Sequence, residues 1–343
     1  MKTYRILIEG IGSIGGMIAG KLLKAGYQPT LVTGNPEISA AINRNGLSVT
    51  TPEEKFRVPA RAFTTLRDLD RGARFDVALL VMKAHSVVET ARDTMRFLEP
   101  ETGFVVTCQN GIVEDLVADA VGAGRVVAGI IGWGGTMHGP GVVERTGPGA
   151  IHLGEPDGRR KERVERLAGM LKTVTPVVVT NNIRGAQWSK VAINCTITTI
   201  GALTGENLGD MLKDARARKV FLGVYREVID TALALGMRLE RIAVDPMLLY
   251  VPENAGTLSR FYKDVLARIV GRRYGKLKSS SLQSLERGRR TEIDFLNGYV
   301  VEQAMKAGVR TPLNQSLTRM IKEIEEGRRK LTPANMEELL AGL

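Results

Sequence analysis

The chain has 343 residues, 43% hydrophobic and 25% charged, with 48 Lys and Arg against 37 Asp and Glu for a net charge of +11. This is an ordinary globular composition, long enough for two domains with cores of their own, and no apolar run approaches the roughly 20 residues of a membrane span. Cys108 and Cys195, about ninety residues apart, suit reduced core thiols rather than a disulfide, and His85, His138 and His152 lack metal-ligand spacing, so metal chemistry is not expected. The positive charge favours anionic partners: a phosphate-bearing cofactor with a carboxylate substrate satisfies it as well as nucleic acid does, and so does a plain basic surface.

Taken in order, Arg5 to Glu9 reads as a buried strand. It starts so early that no signal peptide is expected, and a cytoplasmic location follows as an expectation. Gly10-Ile11-Gly12-Ser13-Ile14-Gly15 then fits G-x-G-x-x-G. A helix over Met17 to Ala25 stops at Gly26, and Pro29 to Thr33 is a second strand, completing a βαβ unit. In such a unit Gly10 permits the turn, Gly12 lets backbone approach a pyrophosphate, and Gly15 lets the helix pack closely. The helix N-terminus around Ser13 and Ile14 offers N–H groups to the phosphates. A dinucleotide is therefore the expected ligand.

The second strand ends Thr33-Gly34-Asn35, without the acidic residue that holds a ribose 2′-hydroxyl in NAD-specific domains. Thr33 and Asn35 are candidate donors to a 2′-phosphate, Arg44 is a possible charge partner, and Glu37 leaves NAD open; NADP is the expected cofactor. Glu37 to Asn45 reads as a helix and Leu47 to Thr65 as extended pieces. Arg74 to Met82 is expected to be a central parallel strand, followed by Lys83 and a helix from Ser86 to Leu98. Gly103 to Cys108 is the next strand, closed by Gln109-Asn110-Gly111, then come a helix to Val121 and a strand from Arg125 to Gly132. The alternation is that of a doubly wound parallel sheet, in which ligands bind beyond the strands' carboxyl ends. Gly10–Gly15, Lys83 and Asn110 all fall at such ends and should face one crevice.

Val142-Val143 and Ala150 to Leu153 are expected to be antiparallel strands completing the sheet's edge, with a helix over Asp157 to Thr173 and a last strand over Pro176 to Thr180. Beyond Asn181 the periodicity is helical throughout: Ile183 to Ile200, Met211 to Gly236, Leu258 to Val270, Glu292 to Ala307 and Leu313 to Glu326. The expected organisation is a Rossmann domain over 1–181 and an all-α domain over 182–343. On the first of these helices Lys190 and Asn194 project from one face.

Gly10, Gly12, Gly15, Lys83, Gln109-Asn110-Gly111, Trp188-x-Lys190-x-x-x-Asn194, Ser280-Ser281-Leu282-Gln283 and Thr291-Glu292-Ile293-Asp294-x-x-Asn297-Gly298 come in the order seen in ketopantoate reductases (2-dehydropantoate 2-reductases), and the chain resembles that family over nearly its whole length. The resemblance implies an α/β Rossmann domain followed by a helical domain like that of 6-phosphogluconate dehydrogenase, and NADPH-dependent reduction of a 2-oxo acid on the way to pantothenate and coenzyme A. It implies Lys190 as catalytic lysine, Glu292 as its partner carboxylate, Asn110 near the nicotinamide, Lys83 after the central strand, and Asn194 and Ser280 as substrate contacts. A lysine suits the chemistry, since hydride addition puts negative charge on the carbonyl oxygen and an ammonium both stabilises it and delivers the proton.

Each residue has a plainer reading: a solvated lysine at 190, a helix-start carboxylate at 292, a snorkelling Lys83, a mere turn at Asn110-Gly111, an N-cap at Ser280 and a core Trp188. Two positions depart from the family, Thr198 where many members carry a substrate-side asparagine and Leu277 where another is often found. Both put substrate identity in question. Residues 210–278 add a helical, basic stretch with Lys263, Arg268, Arg272, Arg273, Lys276 and Lys278, read as a solvated face or as a contact for a phosphate or another subunit. A homodimer through the helical domain is expected. The competing functions are reduction of another 2-oxo acid or of an opine-type imine on the same fold, and non-catalytic nucleotide binding; no membrane or nucleic-acid partner is expected.

Overall fold

The computed structural model describes residues 4–242, 244–275 and 278–341; Lys276 and Leu277 lie outside the described residues. Two compact units form. One holds the residues up to Gln109 together with Val113–Ile183, and the other Asn110–Ile112 together with the chain from Arg184 onward.

The first unit runs β1 (Ile6–Glu9), α1 (Ser13–Lys24), β2 (Thr30–Val32), α2 (Pro36–Asn45), β3 (Leu47–Thr50), β4 (Lys55–Val58), β5 (Ala62–Phe63), β6 (Val77–Leu80), α3 (Val87–Thr94), β7 (Phe104–Thr107), α4 (Glu114–Val121) and β8 (Val126–Ile131). It continues with β9 (Gly135–Gly139), β10 (Val142–Arg145), β11 (Ile151–Gly154), α5 (Glu162–Leu171) and β12 (Val177–Val179). The described strands build an eight-stranded sheet in the order β12-β11-β8-β7-β6-β1-β2-β5. From β8 to β5 every pairing is parallel. β1, β6, β7 and β8 are buried at every position, as strands covered on both faces must be. The order reverses at β1, with β2 on one side and β6 on the other, so the switch point falls at the ends that carry Gly10 and Lys83.

The expectation for Val142-Val143 is overturned. β10 leaves the main sheet and pairs parallel with β3 and antiparallel with β9, in a separate sheet ordered β4-β3-β10-β9. The reason is a small core of its own: Val49 and Val143 pack on Met17 of α1. Gly20 on that helix is where a Cβ would come within 2.4 Å of the Val49 side chain, so only a side-chain-free position admits the approach. Ile151–Gly154 does join the main sheet antiparallel to β8, but β12 lies outside it as the edge.

Glu9, the last residue of β1, is a buried carboxyl that accepts a hydrogen bond from Thr94 Oγ1 on α3. Burial pushes its pKa up from 4.5 to about 7 against the lowering effect of that bond. The folded chain therefore binds a proton that the unfolded chain has released, and stability falls as pH rises from 4.5 to about 7. Glu9→Gln should flatten this slope in denaturant titrations at the two ends of that range; an unchanged slope would assign it to other groups.

The second unit contains α6 (Ile183–Thr204), α7 (Leu208–Met211), α8 (Ala215–Ala234), α9 (Thr257–Arg273), α10 (Ser280–Glu286), α11 (Asn297–Ala307), α12 (Pro312–Glu325) and α13 (Asn335–Ala341). Its core gathers Trp188, Phe221, Tyr225, Leu317 and, from the far-off turn, Ile112. Trp188 is 1% exposed and meets the Tyr299 ring at 5.9 Å, which makes it a core residue. A polar chain threads this apolar core. Thr199 donates to Asn297 Oδ1 (2.6 Å), Asn297 Nδ2 donates to the Cys195 carbonyl (3.2 Å) and to Asn314 Oδ1 (2.9 Å), and Asn314 Nδ2 donates to Glu227 (2.7 Å). Glu227 also accepts from the backbone N–H groups of Leu313 and Asn314, so a carboxylate on α8 caps the start of α12.

Candidate functional site

The glycine turn has the form a dinucleotide needs. Gly10 sits at φ +91°, and a Cβ there would lie 2.5 Å from the Met82 nitrogen. A Cβ on Gly15 would lie 2.1 Å from the Gly10 carbonyl oxygen, so both positions exclude any side chain. Gly12 is the opposite case, since a Cβ there would meet nothing within 4 Å: the turn is open on the side where a phosphate would approach. Gly12 is the N-cap of α1 and contributes no side-chain cap, and Ser13 and Ile14 open the helix with no acid in its first turn. Its leading N–H groups and positive dipole end suit an anion.

At the end of β2 the turn is self-contained. Thr33 Oγ1 donates to the Asn35 carbonyl (2.7 Å) and accepts from the Asn35 N–H (3.0 Å), while Asn35 Oδ1 caps α2 by accepting from Glu37 and Ile38. The Thr33 hydroxyl proton and the Asn35 carbonyl oxygen are thus committed within the turn, and the Asn35 amide N–H groups are what this cap leaves over. Arg44 lies in the last turn of α2, nine residues from the Asn35 cap, which on a helix is about 13.5 Å. Thr64 and Ser39, whose hydroxyls bond at 2.7 Å beside this turn, carry no signal in the sequence, because β5, just before Thr64, reaches β2 only through the sheet.

Lys83 is exposed just beyond β6. Gln109 Nε2 donates to the Leu80 carbonyl (2.8 Å) and the Met82 carbonyl (3.0 Å), clasping the end of β6 to the end of β7. It is a positioning residue that the sequence showed only as part of a turn.

The remaining candidates gather in the helical unit. Lys190, Asn194 and Thr198 follow at intervals of four along α6 and share a face. Lys190 and Asn194 are half-buried and Thr198 is buried. Asn194 Nδ2 donates to Asn110 Oδ1 at 3.3 Å, joining two candidates 84 residues apart. Gly111, at φ +92°, follows directly, and a Cβ on it would lie 2.1 Å from the Phe295 carbonyl oxygen. The Asn110-Gly111 turn therefore presses against the 3-10 turn Ile293–Phe295, of which Glu292 is the N-cap. Glu292 is 3% exposed and, although it is the N-cap of this turn, makes no side-chain cap bond.

Farther along the same face of α6, Gly201 approaches Ser279 Oγ at 3.3 Å from its would-be Cβ. Ser279, not Ser280, is the N-cap of α10, accepting from the Leu282 N–H at 3.1 Å. The expected cap at Ser280 is corrected by one residue, and its hydroxyl is left outside the cap. Asn110 and Ser279 thus meet α6 at Asn194 and Gly201, about 10 Å apart along its axis, while the Glu292 turn packs on the Asn110-Gly111 turn. A cavity of about 650 Å³ elsewhere in this unit, lined by Asp294, Gly298, Arg319 and Lys322 among others, includes none of these candidates.

Comparison with known proteins identifies the family. The sequence matches the family Ketopantoate reductase PanE/ApbA over residues 6–158 and Ketopantoate reductase PanE/ApbA C terminal over residues 182–325. A 2-dehydropantoate 2-reductase of Mesorhizobium japonicum is 31% identical over 93% of this chain and 97% of its own length, and one of Pyrococcus horikoshii is 29% identical over 94% and 97%. Among solved structures, a PanE/ApbA family ketopantoate reductase from Ralstonia eutropha JMP134 superposes with a TM-score of 0.78 at 24% identity, covering 95% of this chain and all of that one. D-mandelate dehydrogenase, solved with NADH and anilino(oxo)acetate, superposes with a TM-score of 0.80 at 20% identity, covering 94% and 99%. With both family segments matched in order along most of its length, the chain belongs to the ketopantoate reductase family.

Proposed function

We propose that the chain reduces ketopantoate to pantoate with NADPH. The observation that supports this most is the Asn194–Asn110 bond, which sets the turn after β7 on the α6 face that also carries Lys190. The cofactor, when bound, supplies the hydride. Gly10, Gly12 and Gly15 shape a turn able to receive its pyrophosphate, with Ser13 and Ile14 opening the helix behind it. Lys190 stabilises the charge that grows on the substrate carbonyl oxygen and delivers its proton. Asn194, with Ser280, orients the substrate. Glu292 orients Lys190 and accepts from the substrate hydroxyl.

The 2′-phosphate preference rests on the absence of an acid at Thr33-Gly34-Asn35, with the Asn35 amide as the donor of choice. A second reading, another 2-oxo acid, has Thr198 in its favour, since a hydroxyl replaces an amide on the substrate face. A panel of 2-oxo acids with NADPH and NADH, followed by loss of reduced cofactor, tests both: ketopantoate with NADPH should give the highest kcat/KM. A better 2-oxo acid would overturn the substrate, and clearly tighter NADH the cofactor. We further propose a cytoplasmic homodimer joined through the helical unit.

A further inference from the structure

Glu292 stands between two residues that are both held in place, and the group that holds the first of them is Glu325, at the far end of α12. Thr291 is 2% exposed, so its backbone N–H and its hydroxyl are withdrawn from bulk water. Both donate to the same oxygen, Glu325 Oε1, at 2.7 Å each. With its proton given to Glu325, the Thr291 hydroxyl oxygen accepts from the Ile293 N–H at 3.2 Å, which closes a small ring around Glu292. Ile293 is fixed on the other side by burial in the helical core.

Glu325 is the last residue of α12, a helix whose first turn is secured by Glu227. One turn back on the same face, Lys322 pairs with Asp294 at 2.6 Å, so α12 grips the chain on both sides of Glu292. The two grips differ in strength. Lys322 and Asp294 are 46% and 60% exposed, and such a pair contributes little, whereas Glu325 satisfies two donors of a buried residue. Without Glu325 those donors are left to water, and they reach water only when Thr291 moves outward and takes Glu292 with it.

We propose that Glu325 is a positioning residue for the reduction: through Thr291 it fixes where the Glu292 carboxylate stands, and so how Lys190 is oriented. The inference rests on the roles given above to Glu292 and Lys190. Catalysis tolerates little displacement, since a misplacement of about 1 Å costs on the order of a hundredfold. The effect belongs to kcat and not to cofactor binding, because no residue of the glycine turn is involved.

The test is a double-mutant cycle between positions 325 and 292, read on the full chain with NADPH and the 2-oxo acid it turns over fastest. Glu325→Ala should lower kcat about thirtyfold and leave the KM for NADPH within about twofold. Glu325→Gln keeps an oxygen acceptor and should stay within about threefold of wild type. In a Glu292→Ala background, Glu325→Ala should lower kcat by no more than about twofold further, because the group it places is gone. Losses that multiply would overturn the positioning role and leave Glu325 a structural cap. Thr291→Val exchanges the hydroxyl for a methyl and serves where Glu325→Ala does not fold. It should lower kcat about tenfold, with Thr291→Ser close to wild type; full activity in Thr291→Val would overturn the ring around Glu292. Lys322→Ala should keep kcat within about twofold, and a loss there equal to that of Glu325→Ala would overturn Glu325 as the positioning group. A Glu292→Ala chain as active as wild type would instead overturn the role of Glu292 in the proposed function, and this inference with it.

Discussion

Lys190→Ala should lower kcat by about a thousandfold, the combined scale of a lost proton donor and a lost oxyanion partner. The binding of NADPH, measured by fluorescence titration, should change less than about threefold, because no residue of the glycine turn is touched. Lys190→Arg should recover little, since a planar guanidinium keeps the charge but neither fits the same space nor releases its proton. The position favours this outcome over that of a solvated lysine: the side chain is half-buried, one turn from an asparagine bonded to Asn110. Activity within about tenfold of wild type would remove Lys190 from the proton-donor role.

Glu227→Ala should be the most destabilising of the single substitutions considered, at about 4 kcal/mol, with a fall in Tm of roughly 10 °C in a unit of this size. Three donors lose their acceptor at once, the N–H groups of Leu313 and Asn314 and the Asn314 amide, all in a buried setting. Glu227→Gln keeps an acceptor in the same place and should cost about half as much. Burial raises the pKa of this carboxyl, against the lowering effect of its hydrogen bonds to Leu313 and Asn314. The effect reaches the candidate site through Asn314 and Asn297, which bonds the Cys195 carbonyl next to Asn194. Chemical denaturation measures it, and a loss below about 1 kcal/mol would mean that water replaces the cap.

The sequence carried the parts of this molecule that are local. The βαβ opening was legible because each glycine answers a steric demand of its neighbours, and the central strands because every position is apolar. β10 was not, since Val142-Val143 fits any half-covered strand and its partner β3 lies almost a hundred residues back. The choice between Ser279 and Ser280 as cap depends on a backbone angle that two adjacent serines do not reveal. Asn110 stood out by its place at a strand end and Glu292 only through the family resemblance; the approach of their turns depends on Gly111 meeting Phe295, a contact between segments far apart in sequence. Glu227 and Asn314 gave no signal, because a carboxylate and an amide on amphipathic helices look like surface residues until burial shows otherwise.

The grouping of Asn110–Ile112 with the helical unit has a consequence for biosynthesis. Ile112 is 2% exposed and belongs to the helical core, yet it is made with the nucleotide-binding half. At roughly 5–20 residues per second, a ribosome leaves this side chain waiting for several seconds before α6 begins to emerge. The turn that carries Ile112 therefore cannot reach its final packing before α6 has been made, and a fragment that begins after residue 181 lacks this core side chain.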